Sequence, residues 1–237
     1  MWLPVMDALA AERDVIALDL PGFARSPMPA SPEPAGVPRL SDLVLEFTAS
    51  LGLESFHVAG NSMGGAISLE LARRGAVRSA TALSPAGFAS RPEAARAAAL
   101  LWTLRRIGLL TAPLAPSLTR SALGRRAALG TAVRHPERVP AEQAALWLDR
   151  LNRAAWFDRT LWAILSVKEQ FGAVGAVACP VTIAWGEHDR ILPPKQAARA
   201  LQAFRSAAYV LLRDCGHVPT WDDPDQVARV ILDGSSV

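Results

Sequence analysis

The sequence predicts an α/β protein: a mostly parallel sheet with helices on both faces and a helical insertion between two of its strands. Three observations lead there. Short apolar runs, partly β-branched and closed by turn residues, alternate with segments whose apolar residues recur at helical spacing. Each helical segment carries one apolar stripe, as a sheet covered on both faces requires. The polar motifs follow strands, and in parallel sheets chemistry collects at the carboxyl ends of the strands. With 237 residues, 51% of them apolar, the chain has the length of one domain and ample material for a core, which excludes disorder.

Taken in order, Trp2, Met6, Leu9 and Ala10 predict a first helix, and Val15-Ile16-Ala17-Leu18, closed by Pro21-Gly22, a buried strand. Prolines at 27, 29, 32, 34 and 38 make 26–38 a surface loop. Leu40, Leu43, Val44, Phe47 and Leu51 mark an amphipathic helix. Phe56 to Ala59 form a strand, followed by Gly60-Asn61-Ser62-Met63-Gly64-Gly65 and a helix that runs through Leu71 and stops near Gly75. Val77 to Leu83 make the next strand. Phe88 to Gln170, rich in Ala, Leu and Arg, shows no strand pattern and reads as the helical insertion, its tryptophans 102, 147, 156 and 162 packed inside it. Alternation resumes with a strand at Val181 to Trp185, a helix with Ala197, Ala200, Leu201 and Phe204 on one face, and a strand at Tyr209 to Leu212. The last helix opens with Asp223 as cap and Pro224 as first helical residue, with Val227, Val230 and Ile231 inward. Residues 1–87 and 171–237 thus form the core and 88–170 the insertion.

Charge narrows the partners. Lys and Arg number 25 against 22 Asp and Glu, and the net +3 is too small for a chain built to neutralise nucleic acid. The uncharged stretch Phe171 to Gly186 holds several glycines and Pro180 and falls short of the ~18 to 20 apolar residues of a membrane span. It reads as a buried strand with its approach loop. Met1 to Asp14 carries Asp7 and Glu12 in place of a basic leader and a long apolar run, which places the protein in the cytoplasm. Cys179 and Cys215 make neither a disulfide framework nor a four-cysteine zinc site and are expected as reduced thiols. No cluster has metal-ligand spacing, and the Gly-rich loop lacks the Lys of a phosphate-binding loop and the glycine spacing of a dinucleotide site, so no cofactor or metal is expected.

Three loops carry the chemistry. Gly60-Asn61-Ser62-Met63-Gly64 is a G-x-S-x-G pattern between strand and helix, a strained turn that exposes a serine hydroxyl. Its glycines are expected to avoid collisions with the adjoining strand and helix. The helix that follows aims free amides and its positive dipole end at the site where an oxyanion forms. Serine needs a base to take its proton, a role that histidine suits at neutral pH. His57 lies within a strand, His135 in the insertion beside Pro136, and His188 next to a candidate acid; His217, in Asp214-Cys215-Gly216-His217, follows the last strand and is the choice. The third member is a carboxylate that fixes the imidazole tautomer. Asp189, in Gly186-Glu187-His188-Asp189, follows the preceding strand and is preferred, with Glu187 its close rival.

The chain resembles the serine-nucleophile branch of the α/β-hydrolase superfamily over nearly its whole length. The matching residues are Asp19-Leu20-Pro21-Gly22-Phe23-Ala24-Arg25-Ser26, the serine turn, the Gly186 to Pro193 segment, and Cys215-Gly216-His217 with Asp222 and Pro224. The resemblance implies Ser62 as nucleophile, His217 as base, Asp189 as acid and the Met63 backbone amide as one oxyanion donor. It also implies that 88–170 caps the pocket. Serine at the turn sets the chain apart from the dehalogenase and epoxide hydrolase branches, where aspartate stands. The family pattern has strands before Asp19, one ending in a His-Gly loop that supplies a second oxyanion amide and lying between the Val15 to Leu20 and Phe56 to Ala59 strands. That motif is absent here, so the fold is expected to be N-terminally incomplete, with Met1 an internal methionine or a misassigned start.

These features predict a cofactor-independent hydrolase acting through a Ser62 acyl-enzyme on a small, hydrophobic ester or similar acyl substrate. A carbon-carbon bond hydrolase or perhydrolase-like enzyme on the same scaffold is the alternative. An inactive binding module or remnant is the alternative of another class. The insertion carries twelve Arg and Lys168 against six acids, about +7, while the remainder is −4; a basic cap can attract anionic substrates or a membrane surface, and arginines on solvated helix faces explain the excess equally well.

Overall fold

The structure is a computed structural model that describes residues 1–28, 36–164 and 171–236. Four parallel strands, β1 (His57–Asn61), β2 (Ser79–Leu83), β3 (Val181–Gly186) and β4 (Ala208–Leu212), form one sheet in the order β1-β2-β3-β4. The register pairs Asn61 with Leu83, Leu83 with Ala184, and Gly186 with Leu212, so β1 and β2 end together, and β3 and β4 end together two residues further along. β2 and β3 are buried along their whole length because helices cover both faces.

Helix α1 (Leu3–Ala10) packs Val5 and Leu9 against the last helix, leaving Ala10 exposed. Helix α2 (Val37–Ser50) turns Leu40 and Val44 inward, and its stripe frays toward solvent at Phe47 and Leu51. Pro38, expected in the loop, sits in the first turn of α2, where its missing N–H costs nothing. Prolines 29, 32 and 34 lie outside the described residues. Helix α3 (Met63–Arg73) follows β1 directly and packs on α2 and the sheet.

The expected strand at Val15 to Leu18 is not formed. Residues 14–20 take no regular structure, β1 pairs with β2 alone among the described residues, and Ile16 is 48% exposed. A strand exists only through a neighbour that takes its hydrogen bonds, and among the described residues none lies beside this segment. Val15, Leu18 and Leu20 still rest partly buried on the core.

Between β2 and β3 the described residues form helices and no strand. They form α4 (Arg91–Thr111), α5 (Ala115–Leu118), α6 (Ala122–Leu129), α7 (Ala141–Arg153) and α8 (Phe157–Ile164), joined by short 3-10 turns. The expected insertion ends at 165–170, outside the described residues. Ser90 and Glu93 form a capping box at the start of α4. Trp156 is fully buried against Gly22, and Trp147 packs with Leu129 and Val139. Trp102 and Trp162 depart from the expected inward packing, at 41% and 57% exposed. Trp102 lies on an outward face of α4 under the Arg106 guanidinium, 5.0 Å from its ring centre.

Helix α9 (Ala197–Ala203) buries Ala197 and Ala200 with Phe204, and α10 (Pro224–Gly234) buries Val227, Val230 and Ile231. The Asp223 side chain accepts from the Gln226 amide at 2.9 Å, a cap that stabilises the helix by about 1 kcal/mol. Both cysteines are free, and burial pushes the Cys215 thiol up to about 12. No described helix is long and apolar enough to cross a membrane.

Candidate active site

Because all four strands are parallel, the three polar loops emerge at one edge of the sheet. After β1 the chain reverses into α3 through Ser62, whose φ of +57° and ψ of −113° are strained for a residue with a side chain, at a cost of about 1–3 kcal/mol. Three backbone bonds hold the strain: Ser62 N donates to Leu83 O at 2.9 Å, and Ser62 O accepts from Ala66 N and Ala86 N at 3.0 Å each. The hydroxyl does not cap the helix. The Met63 amide occupies the first helical position and has no acceptor among the described residues.

The glycines divide differently from expectation. A Cβ on Gly60 would lie 2.0 Å from the Gly64 carbonyl oxygen, and one on Gly65 would lie 3.1 Å from Pro85. At Gly64 nothing lies within 4 Å, so the collision expected there is absent. The close approach of strand and helix rests on Gly60 and Gly65, because the helix turns Gly64 outward.

Asp189 follows β3 in a tight turn, 4% exposed. Its Oδ1 accepts from Ile191 N and Leu192 N, both at 2.8 Å, which fixes the carboxylate plane. Its Oδ2 lies 2.7 Å from His217 Nδ1. The carboxylate therefore assigns the proton to Nδ1 and leaves Nε2 as the basic nitrogen of the ring. Glu187 instead accepts from Asp214 N at 3.0 Å and stands 3.9 Å from His188.

His217, 5% exposed, reaches the edge on a sharply folded loop. Asp214 takes a positive φ of +53°, and Cys215 O accepts from His188 N at 2.8 Å. Gly186 and Gly216 nearly touch: a Cβ on Gly186 would lie 2.1 Å from Gly216 O. Asn61 then ties the loop to the serine turn. Its Nδ2 donates to His217 O at 2.8 Å and to Leu83 O at 3.1 Å.

A buried carboxylate secures the loop from the other side. Asp222 accepts from Gly216 N at 2.7 Å, Arg134 N at 3.1 Å and His135 N at 2.8 Å. Burial raises its pKa above the ordinary value, and the three amide bonds offset only part of that cost. The same segment donates Val218 N to Ala132 O at 2.9 Å, so residues 132–135 lie directly on the His217 loop.

The remaining histidines are engaged elsewhere. His57 Nδ1 lies 2.8 Å from Ser79 Oγ at the far end of the sheet, and His135 Nε2 lies 2.7 Å from Asp214 Oδ2. The bond from His135, helped by Arg134, holds the Asp214 carboxyl below its usual range. Asn61 and Asp222 are the residues that sequence reasoning missed as loop anchors. Asn61 stood within the serine motif and Asp222 within the matched C-terminal residues, but neither spacing reveals a backbone acceptor 156 positions away or three amide donors. No group of three or more His, Cys, Asp or Glu among the described residues is placed to hold a metal ion.

A family profile described as "Alpha/beta hydrolase family" matches residues 1–230. Epoxide hydrolase EphH of Mycobacterium tuberculosis is 27% identical over 197 residues, 81% of this chain and 91% of the relative. A 2-hydroxy-6-oxononadienedioate/2-hydroxy-6-oxononatrienedioate hydrolase of Pseudomonas putida is 26% identical over 238 residues, 95% of this chain and 78% of the relative. Among solved structures, a bacterial membrane phospholipase A superposes with a TM-score of 0.72 at 25% identity, covering 98% of this chain and 74% of that one.

Proposed function

The chain belongs to the alpha/beta hydrolase family, and from that premise we propose a cofactor-independent serine hydrolase that cleaves an ester or similar acyl substrate through Ser62, His217 and Asp189. The observation that carries the reading is the pair of bonds converging on His217. A buried carboxylate holds its ring at 2.7 Å, and the residue before Ser62 holds its backbone at 2.8 Å.

His217 Nε2 takes the hydroxyl proton as Ser62 Oγ attacks the acyl carbon, and Asp189 stabilises the imidazolium that results. The oxyanion meets the Met63 amide, which has no acceptor among the described residues, at the positive end of α3. The tetrahedral adduct collapses, the leaving oxygen takes the proton from His217, and an acyl-enzyme remains. Water, deprotonated by His217, attacks that ester; the acid departs and Ser62 regains its proton. In this reading 88–170 is a cap, and its apolar composition, rich in Ala and Leu, favours a hydrophobic acyl group. The family includes a relative named for epoxide hydrolysis, but Ser62 stands where resemblance to that branch implies aspartate.

The test is hydrolysis of a panel of short and long acyl esters. The proposal expects turnover that Ser62→Ala abolishes; turnover unchanged in that variant contradicts it. A carbon-carbon bond hydrolase is the second reading, favoured by the similarity to the Pseudomonas putida hydrolase across 95% of the chain. Ser62-dependent turnover of a ring-fission diketone in preference to every ester would select it. A well-folded protein active on neither class would be a binding module.

A further inference from the structure

Positions 94–136, all within the helices between β2 and β3, contain seven arginines and no Asp or Glu. Inside that segment residues 107–119 carry no charge at all. They form a corner, where the end of α4 passes through a 3-10 turn (Ala112–Leu114) into α5. The corner turns its apolar side chains to solvent. Ile107 is 51% exposed, Leu110 83% and Leu114 63%. Gly124 packs its backbone on the Leu118 carbonyl at the end of α5, and its neighbour Leu123 in α6 is 79% exposed. Single exposed leucines are ordinary, but several along one uncharged stretch mark a contact surface. Arg106 and Arg120 bracket the corner, and neither forms an ion pair among the described residues.

We propose that this corner docks on an anionic lipid surface, Leu110 and Leu114 entering the acyl boundary while Arg106 and Arg120 lie among the phosphate headgroups. The sign of the charge selects the partner. A second copy of the chain would bring arginines against arginines, with no acid at positions 94–136 to pair them. Arg106, Leu110 and Leu114 follow at four-residue spacing, so the long arginine side chain reaches back to the headgroups while the leucines enter the acyl boundary. The inference holds whatever chemistry Ser62 performs.

Co-sedimentation with vesicles tests it. The intact chain is expected to bind vesicles of phosphatidylglycerol and phosphatidylcholine and to bind phosphatidylcholine alone weakly, with binding that falls as salt rises. Leu110→Asp with Leu114→Asp, and separately Arg106→Glu with Arg120→Glu, should each weaken binding about tenfold or more. Leu51→Asp, an exposed position on the core, should leave binding unchanged. Ester turnover or probe labelling measured without vesicles should be unaffected by the corner variants. No affinity for the anionic vesicles, or equal affinity in the variants, overturns the proposal. So does a dimer in sedimentation equilibrium that Leu110→Asp abolishes, since a second copy would then cover the corner.

Discussion

The side-chain amide of Asn61 donates to the backbone carbonyl of His217 at 2.8 Å, across 156 positions of chain. The bond couples the placement of the serine turn to that of the histidine, since Asn61 is the last residue of β1 and Ser62 follows it. The second bond of Asn61, to Leu83 O, anchors the same amide on β2.

Asn61→Ala removes that coupling while leaving Ser62, His217 and Asp189 in the chain. A small displacement of a catalytic group costs on the order of 100-fold in rate. Steady-state kinetics of the variant should show kcat lowered by about that factor with KM little changed. A rise in KM with kcat preserved would mean that Asn61 binds substrate instead.

Asp189→Asn should fold and fail. Oδ1 can still accept from the Ile191 and Leu192 amides, so the turn survives. The negative charge that fixes the His217 tautomer is lost, a change that costs about 10⁴-fold in kcat where this arrangement operates. Unchanged thermal unfolding combined with near-wild-type turnover would remove Asp189 from the mechanism and reopen the case for Glu187.

The two glycines that flank the serine motif should respond in opposite ways. Gly60→Ala forces a methyl to within 2.0 Å of the Gly64 carbonyl oxygen and should abolish folding or the serine turn. Gly64→Ala meets open space inside a helix, where alanine is favoured by about 1 kcal/mol. Thermal melts of both variants check this, and equal sensitivity would contradict it.

Acid should loosen the junction between α4 and α9. Burial pushes Glu93 up, but the Ser90 amide, Lys195 and Arg199 outweigh it and hold its pKa at about 2, against an ordinary value of 4.5. Because the folded value is depressed, this stabilisation is present above pH 4.5 and is lost as pH falls through about 2. Glu93→Gln should lower the melting temperature at pH 7 and flatten its decline across that window. A parallel decline in both proteins would contradict the assignment.

Four strands were legible because each is a short apolar run closed by turn residues; β2 and β3 are buried throughout, while the edge strand β4 buries only Leu212 fully. Val15 to Leu18 has the same pattern and is no strand, because pairing depends on a neighbour and not on the run itself. Trp102 misled for a related reason: size argues for burial, yet its face of α4 is not covered. At the candidate site, the motifs placed Ser62, Asp189 and His217 after strands. Which carboxylate meets the imidazole required the turn at Asp189 and the Asp214 contact that occupies Glu187. Asn61 and Asp222 were invisible as anchors because their partners are backbone atoms, which every residue carries and no sequence pattern marks.

The most direct measurement is the intact mass of the protein after treatment with a fluorophosphonate, followed by peptide mapping. The account predicts one adduct, on Ser62, formed rapidly and lost in His217→Ala. A folded protein that gains no adduct, or gains one at another residue, would contradict it.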